Sequence, residues 1–204
     1  MTKILDSIFI TNSAIWFEKD LKDGMVDFKP KISVDINKSS SETIEWLKNR
    51  GEKWVVFPKE ISTARIYNHY WPSVRLYGKI IGSIKIGFDS VYIKDFDKIV
   101  KFPKKMAFIY DTFVTKENRG QGIAKFLISH AVNYSIDNNF EKIGCHIPPW
   151  NKSSIKAFEA IGFKKVNYVR NFRIFKVPIK IIKPADNLKT FSKGKMFTGD
   201  LPYV

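Results

Sequence analysis

A chain of 204 residues that is 44% hydrophobic has enough apolar material for one packed domain and does not read as disordered. No apolar run approaches the roughly 20 residues that a membrane-spanning helix needs. Met1–Ile10, with Lys3 and Asp6, lacks the pattern of a secretory leader, so a cytoplasmic location is expected. The lone Cys145 excludes an internal disulfide and a cysteine-rich metal site. The formal net charge of +15 suits a solvated surface, or attraction to an anionic cofactor, nucleic acid, a membrane surface or an acidic substrate.

The first 38 residues carry little signal. Ala14-Ile15-Trp16-Phe17-Glu18-Lys19-Asp20-Leu21 fits one or two turns of amphipathic helix, broken by Gly24 and Pro30. Ser39 and Glu42 have capping-box spacing and open a helix through Trp46 and Leu47, closed by Gly51. Lys53–Phe57 reads as a strand stopped by Pro58. Ser73–Phe88 reads as a hairpin: Val74 and Leu76 alternate with Arg75 and Tyr77, Gly78-Lys79 turns, and Ile80, Ile84, Ile86 and Phe88 share a face. Asp89–Lys105 reads as a connection with a short apolar piece.

A strand from Phe108 to Val114 then ends in a polar turn and feeds a helix opening at Arg119-Gly120-Gln121-Gly122-Ile123-Ala124. A helix start exposes backbone N–H groups that no carbonyl within the helix satisfies, and its dipole end is positive. Glycines there let a ligand approach the backbone, and Arg119 adds a fork suited to phosphate oxygens. Neither G-x-x-x-x-G-K-[ST] nor G-x-G-x-x-G is present. Ile123, Phe126, Leu127, His130, Ala131 and Tyr134 form one stripe of the helix, with His130 read as a core histidine. A strand over Lys142–Ile147 ends at Pro148-Pro149, and a helix from about Ser153 to Ile161 closes at Gly162. Val166–Arg170 and Phe172–Val177 read as a final hairpin turning near Asn171, and the Lys-rich chain after Pro178 as irregular. No internal repeat is visible.

Arg119, Gly122 and Ala124 match [RQ]-x-x-G-x-[GA] between a strand and a helix, which resembles motif A of the Gcn5-related N-acetyltransferases (GNATs). Ile147–Phe163, a strand end followed by Asn151, a short helix and Gly162-Phe163, resembles motif B of the same family. The likeness is clear over Ala107–Lys165 and loose over Ser73–Phe88. It implies an α/β fold of the α+β kind: a mixed, mostly antiparallel twisted sheet, helices on both faces, and a splay between strands four (Ala107–Val114) and five (Lys142–Ile147). Residues 1–72 would supply N-terminal helices, a first strand and acceptor-side elements, 73–177 the core with the cofactor site, and 178–204 a tail.

The resemblance implies acetyl transfer from acetyl-CoA to a primary amine by direct attack in a ternary complex. Backbone at Phe113, Val114 and Thr115 would meet the thioester and pantetheine, and amides from Arg119, Gly120, Gln121, Gly122, Ile123 and Ala124 the pyrophosphate. Asn151, with Ser154 as a possible addition, would bond the cofactor arm. Asp111 is the candidate general base, its pKa raised by partial burial among apolar neighbours; a purely structural role at the bulge is the other reading. By strand alternation Tyr110 would point to the opposite face. Phe158 stands where many members have a tyrosine acid, so no hydroxyl is available there. Trp16, Trp54, Tyr70, Trp71 and Trp150 are candidates for an acceptor pocket or for the core. Two alternatives stay open: a non-catalytic acyl-CoA sensor, favoured by Phe158, and an RNA-directed protein, favoured by Lys164, Lys165, Arg170, Arg173 and the lysines beyond, interleaved with Phe172, Phe175 and Phe191. A homodimer and the identity of the acceptor also stay open.

Overall fold

The computed structural model describes residues 9–49, 57–96, 98–174 and 177–184. Its elements in chain order are β1 (Phe9–Asp20), β2 (Asp35–Asn37), α1 (Ser40–Asn49), α2 (Pro58–Ile66), β3 (Ser73–Leu76), β4 (Lys79–Gly87), β5 (Ser90–Ile93), β6 (Lys98–Lys101), β7 (Met106–Val114), α3 (Ile123–Asp137), β8 (Lys142–Ile147), α4 (Lys152–Ala160), β9 (Lys164–Ile174) and β10 (Val177–Pro184). Eight strands form one sheet in the order β10-β9-β1-β8-β7-β4-β3-β2, and β5 and β6 pair separately. Within the large sheet β7 and β8 run parallel, while the other neighbours are antiparallel.

Each face of the sheet carries its own core. On one, Ile123, Leu127, Ile128, Ala131 and Val132 of α3 and Ile155, Ala157 and Phe158 of α4 pack on Ile84, Ile86, Ile109, Ile143 and Cys145. On the other, Leu47 of α1, Ala64 of α2, and Val91, Ile93 and Val100 of the β5–β6 hairpin pack on Trp16, Trp71, Phe108 and Tyr110.

The Ala14–Leu21 segment is not helical. It lies within β1, between β8 and β9, with Ile15 opposite both Ile147 and Tyr168. Ala14 and Trp16 enter one core, Ile15 and Phe17 the other. A strand buried on both faces shows no alternation of apolar and polar residues, so its periodicity does not distinguish it from a helix. After β1 an extended strap crosses toward β2, with Val26, Phe28, Ile32 and Val34 packed on the α3-side core.

Other elements refine the reading. The β3–β4 turn is at Tyr77-Gly78, with φ 49° and 77°, as a two-residue hairpin turn requires, rather than at Gly78-Lys79. The 89–105 connection is the β5–β6 hairpin. β9 runs unbroken past Asn171 to Ile174, because β1 offers it a full-length partner, and Lys180 lies opposite Asn171 in β10, not in an irregular tail. At α1, Glu42 N–H donates to Ser39 Oγ at 3.3 Å, half of the capping box; the Glu42 carboxylate instead takes Asn37 Nδ2 at 2.7 Å. On α3 the deepest stripe is Ile123, Leu127, Ile128, Ala131, Val132 and Ser135, and Phe126, His130 and Tyr134 flank it half-buried. The readings at Gly51, 53–56 and 185–204 lie outside the described residues.

Candidate active site

β7 and β8 pair from Met106 opposite Lys142 to Ile109 opposite Cys145, and there the pairing stops. Asp111–Val114 stays with β4 while His146 and Ile147 stay with β1. The result is a wedge-shaped gap with strand backbone on both walls. Ile86 of β4 opposes Ile109, but Lys85 opposes Asp111, so Tyr110 is the extra residue of a β-bulge. The bulge breaks strand alternation, and Tyr110 and Asp111 do not point to opposite faces. Tyr110 Oη accepts a hydrogen bond from Trp71 Nε1, and Asp111 reaches Lys85, whose Nζ lies 4.9 Å from the Trp71 ring centroid.

The polar turn after β7 supplies the second half of the site. α3 is capped by Gly122 at φ 84°, and its first intrahelical bond is Phe126 N–H to Gly122 O at 3.0 Å. The amides of Gly120, Gln121, Gly122, Ile123 and Ala124 therefore precede the helical ladder, as a phosphate cradle requires. A Cβ at Gly120 would meet open space; one at Gly122 would lie 3.1 Å from the Phe28 ring and 3.5 Å from Pro30. The strap thus roofs Gly122, tied by Lys31 N–H to Gln121 O at 2.9 Å and by Lys125 Nζ, 5.5 Å from the Phe28 ring centroid. Arg119 is exposed, and its Nε donates to Val114 O at 3.1 Å. Thr115 N–H is committed to Ile81 O at 2.8 Å, on the β4 side. By ladder alternation Val114 and Thr112 turn their backbone groups to the gap, whereas Phe113 faces β4.

Thr112 carries no motif in the sequence. Its Oγ1 is buried with no hydrogen-bond partner among the described residues, on the strand bordering the gap. That orphan hydroxyl and the free amides fit a ligand carrying amides and phosphates, as acetyl-CoA does. Asn151 caps α4: its Oδ1 accepts from Ser154 N–H at 3.2 Å and Ser153 Oγ at 3.0 Å, which leaves Nδ2 as its outward donor. Ser154 is half-buried at the same helix start. Phe158 is a core residue, with its ring centroid 5.0 Å from that of Phe163.

On the α1–α2 face, Lys85 is buried between Glu60 Oε2 at 3.0 Å and Asp111 Oδ2 at 3.2 Å. Asp111 therefore has a cation beside it, where apolar neighbours were expected. His69 Nδ1 meets Tyr110 Oη at 3.1 Å, and its Nε2 meets Ser90 O at 3.1 Å. A carbonyl partner requires Nε2 to donate, so Nδ1 accepts from Tyr110. Burial lowers the His69 pKa to about 4 and pushes the Tyr110 hydroxyl well up. His146, on the other wall, meets Asp95 Oδ2 at 3.0 Å through Nε2 and stacks on Phe108. Burial raises the Asp95 pKa, but the hydrogen bond and charge of His146, with Lys94, outweigh it and bring it below the usual value. A groove of about 620 Å³ between α1 and the end of α2 has His69 and Trp71 at its floor. Of the aromatics considered for an acceptor pocket, Trp16 and Trp71 are fully buried, Trp150 is exposed, and Tyr70 packs on Tyr134 across the sheet from Trp71. Trp54 lies outside the described residues. His130 is half-buried against Tyr70 Oη at 3.2 Å, its pKa lowered by burial and by Lys38.

The model of the acetyltransferase (GNAT) family matches residues 35–163, more than half of the chain. The chain belongs to the GNAT acetyltransferase family. Solved structures share this fold at low identity. The chain is 19% identical to AAC(6')-Iy in complex with the bisubstrate analogue CoA-S-monomethyl-acetylneamine, at TM-score 0.51 over 66% of this chain and 92% of that one. A GNAT acetyltransferase from Colwellia psychrerythraea aligns at 15% identity and TM-score 0.55, over 81% and 57%. A Drosophila protein aligns at 12% and 0.55, over 85% and 55%. The chain thus spans little more than half the length of the last two. The GNAT match begins at β2 and ends at Phe163, so β1, β9 and β10 lie beyond it, although β1 pairs directly with β8.

Proposed function

We propose that this GNAT protein transfers acetyl from acetyl-CoA to a primary amine by direct attack in a ternary complex. The observation that carries the reading is the coincidence of two features: the gap opening beyond Ile109 and Cys145, and the αL glycine helix start at the end of the same strand. Bound there, acetyl-CoA supplies an activated thioester. The Gly120–Ala124 amides and the Arg119 fork are suited to its pyrophosphate. Backbone of Val114 and Thr112, the Thr112 hydroxyl and Asn151 Nδ2 are suited to the pantetheine arm. Holding donor and amine together removes much of the entropic barrier. Asp111, 27% exposed at the bulge, takes the proton from the amine as general base. No side-chain acid stands at Phe158, and a thiolate is a fair leaving group without one.

The test has two stages. Saturating acetyl-CoA should raise the melting temperature of the folded protein by mass action; no shift would remove the cofactor from the reading. Thiol release is then followed over primary amines: a polyamine, an amino sugar, an amino acid and a lysine peptide. Asp111→Asn should slow turnover more at neutral than at high pH, where the amine arrives unprotonated. Acetyl-CoA binding without turnover on any amine would favour a non-catalytic binding module.

A further inference from the structure

We propose that Lys85 and Glu60 are positioning residues that hold Asp111 at the mouth of the gap, an inference that rests on the role of Asp111 given above. The three form a row from α2 through β4 to β7. Glu60 is 4% exposed and Lys85 1%, while Asp111, at the end of the row, is 27% exposed. Against the ammonium lie Glu60 at 3.0 Å, Asp111 at 3.2 Å and the Trp71 ring at 4.9 Å. Glu60 and Trp71 are themselves fixed. Glu60 Oε2 also accepts from Phe57 N–H at 3.1 Å. Trp71 Nε1 is tied to Tyr110 Oη, and Tyr110 Oη to His69.

Stability does not require this arrangement. Two buried opposite charges recover little more than their desolvation cost, and a well-packed apolar pair serves a core as well or better. What an apolar pair cannot do is grip a carboxylate. The bulge adds the reason for a grip. With Tyr110 inserted, Asp111 sits where strand alternation no longer dictates its direction. Lys85, directly across the ladder, dictates it instead. Taking Asp111 Oδ2 leaves Oδ1 for the incoming amine. The row also carries two carboxylates and one ammonium, so a cationic amine arriving at Asp111 completes the charge balance.

The experiment compares kcat for acetyl transfer, with the amine on which the wild type turns over, in Lys85→Met, Glu60→Gln/Lys85→Met, Asp111→Asn and the combinations. The paired variant removes both fully buried charges together and leaves only Asp111, which is 27% exposed, without its partner, which guards against simple unfolding. It is expected to lower kcat roughly a hundredfold through misplacement of Asp111, with the acetyl-CoA-induced melting shift retained. In the Asp111→Asn background the same change should cost less than about twofold, because a residue acting through Asp111 has nothing left to act on. Equal losses in both backgrounds would make the pair merely structural, and an undiminished kcat would overturn the inference directly. No turnover by the wild type on any amine sinks the acyltransfer reading and this one with it; wild-type turnover with an insensitive paired variant sinks this one alone.

Discussion

His69 sits between Tyr110 and the Ser90 carbonyl, and burial holds its pKa at about 4 against 6.5 when exposed. The unfolded chain therefore takes up a proton below pH 6.5 that the folded chain refuses until about pH 4. Stability from this residue is intact above pH 6.5, falls as the pH drops through that window, and is fully lost below it, by roughly 3 kcal/mol. Denaturant unfolding of wild type and His69→Gln at pH 7.5, 5.5 and 4.5 measures it: the wild type should lose its advantage over the variant as the pH falls. A constant difference would mean that His69 does not titrate between the two states. The neighbouring Tyr110 and Asp111 show how far one residue can change a site. A single bulge residue brings the phenol and the carboxylate onto the same side of β7, against Trp71 and Lys85.

The α3 start and the strap of residues 24–34 act as one unit. Asn133 of α3 holds Val26 by both backbone groups, at 2.8 Å and 3.0 Å, and Phe28 lies on Gly122 at the helix start. Gly122→Ala meets two obstacles, a φ of 84° and the Phe28 ring 3.1 Å from the new Cβ. A left-handed conformation alone costs a non-glycine residue about 1–2 kcal/mol. Gly122→Ala should lower the melting temperature and weaken acetyl-CoA binding. Adding Phe28→Ala should restore part of the binding, because it clears the contact but leaves the backbone strain. If Phe28→Ala restores nothing, the contact is not what makes the alanine harmful. At Gly120, where a Cβ meets open space, only the φ of 80° resists substitution, so Gly120→Ala should show no dependence on Phe28.

Across the whole molecule, β1 joins the β9–β10 pair to the other five strands of the large sheet, with β8 on one side and β9 on the other. Trp16 is its central anchor, fully buried, with its ring centroid 4.8 Å from that of Phe108 and 6.1 Å from that of Phe102. Trp16→Ala should cost about 3–5 kcal/mol, a large share of the stability of a typical domain. The denaturation midpoint should fall accordingly. Because Phe108 lies just before the gap opens, acetyl-CoA binding should weaken as well. A variant as stable as the wild type would mean that β1 does not anchor the sheet.

The parts of this protein legible in its sequence are those whose signal is local. The Phe108–Val114 strand, the Arg119–Ala124 turn, the helix after it and the strand and helix ending at Gly162-Phe163 each carry their caps, glycines and periodicity within a few residues, and they point to the family and to the proposed phosphate cradle. What the sequence could not show depends on partners distant along the chain. β1 reads as a helical turn until β8 and β9 cover both its faces. β9 passes Asn171 without turning because β1 runs beside it. Gly122 reads as room for a ligand, but the space its Cβ would take belongs to Phe28, 94 positions earlier in the chain. Alternation puts Tyr110 and Asp111 on opposite faces because it is a rule for regular strands, and only the pairing with β4 reveals the extra residue. Tertiary structure alone brings Glu60, Lys85 and Asp111 together, since charge attraction in a buried site depends on distance in space and not on separation in sequence.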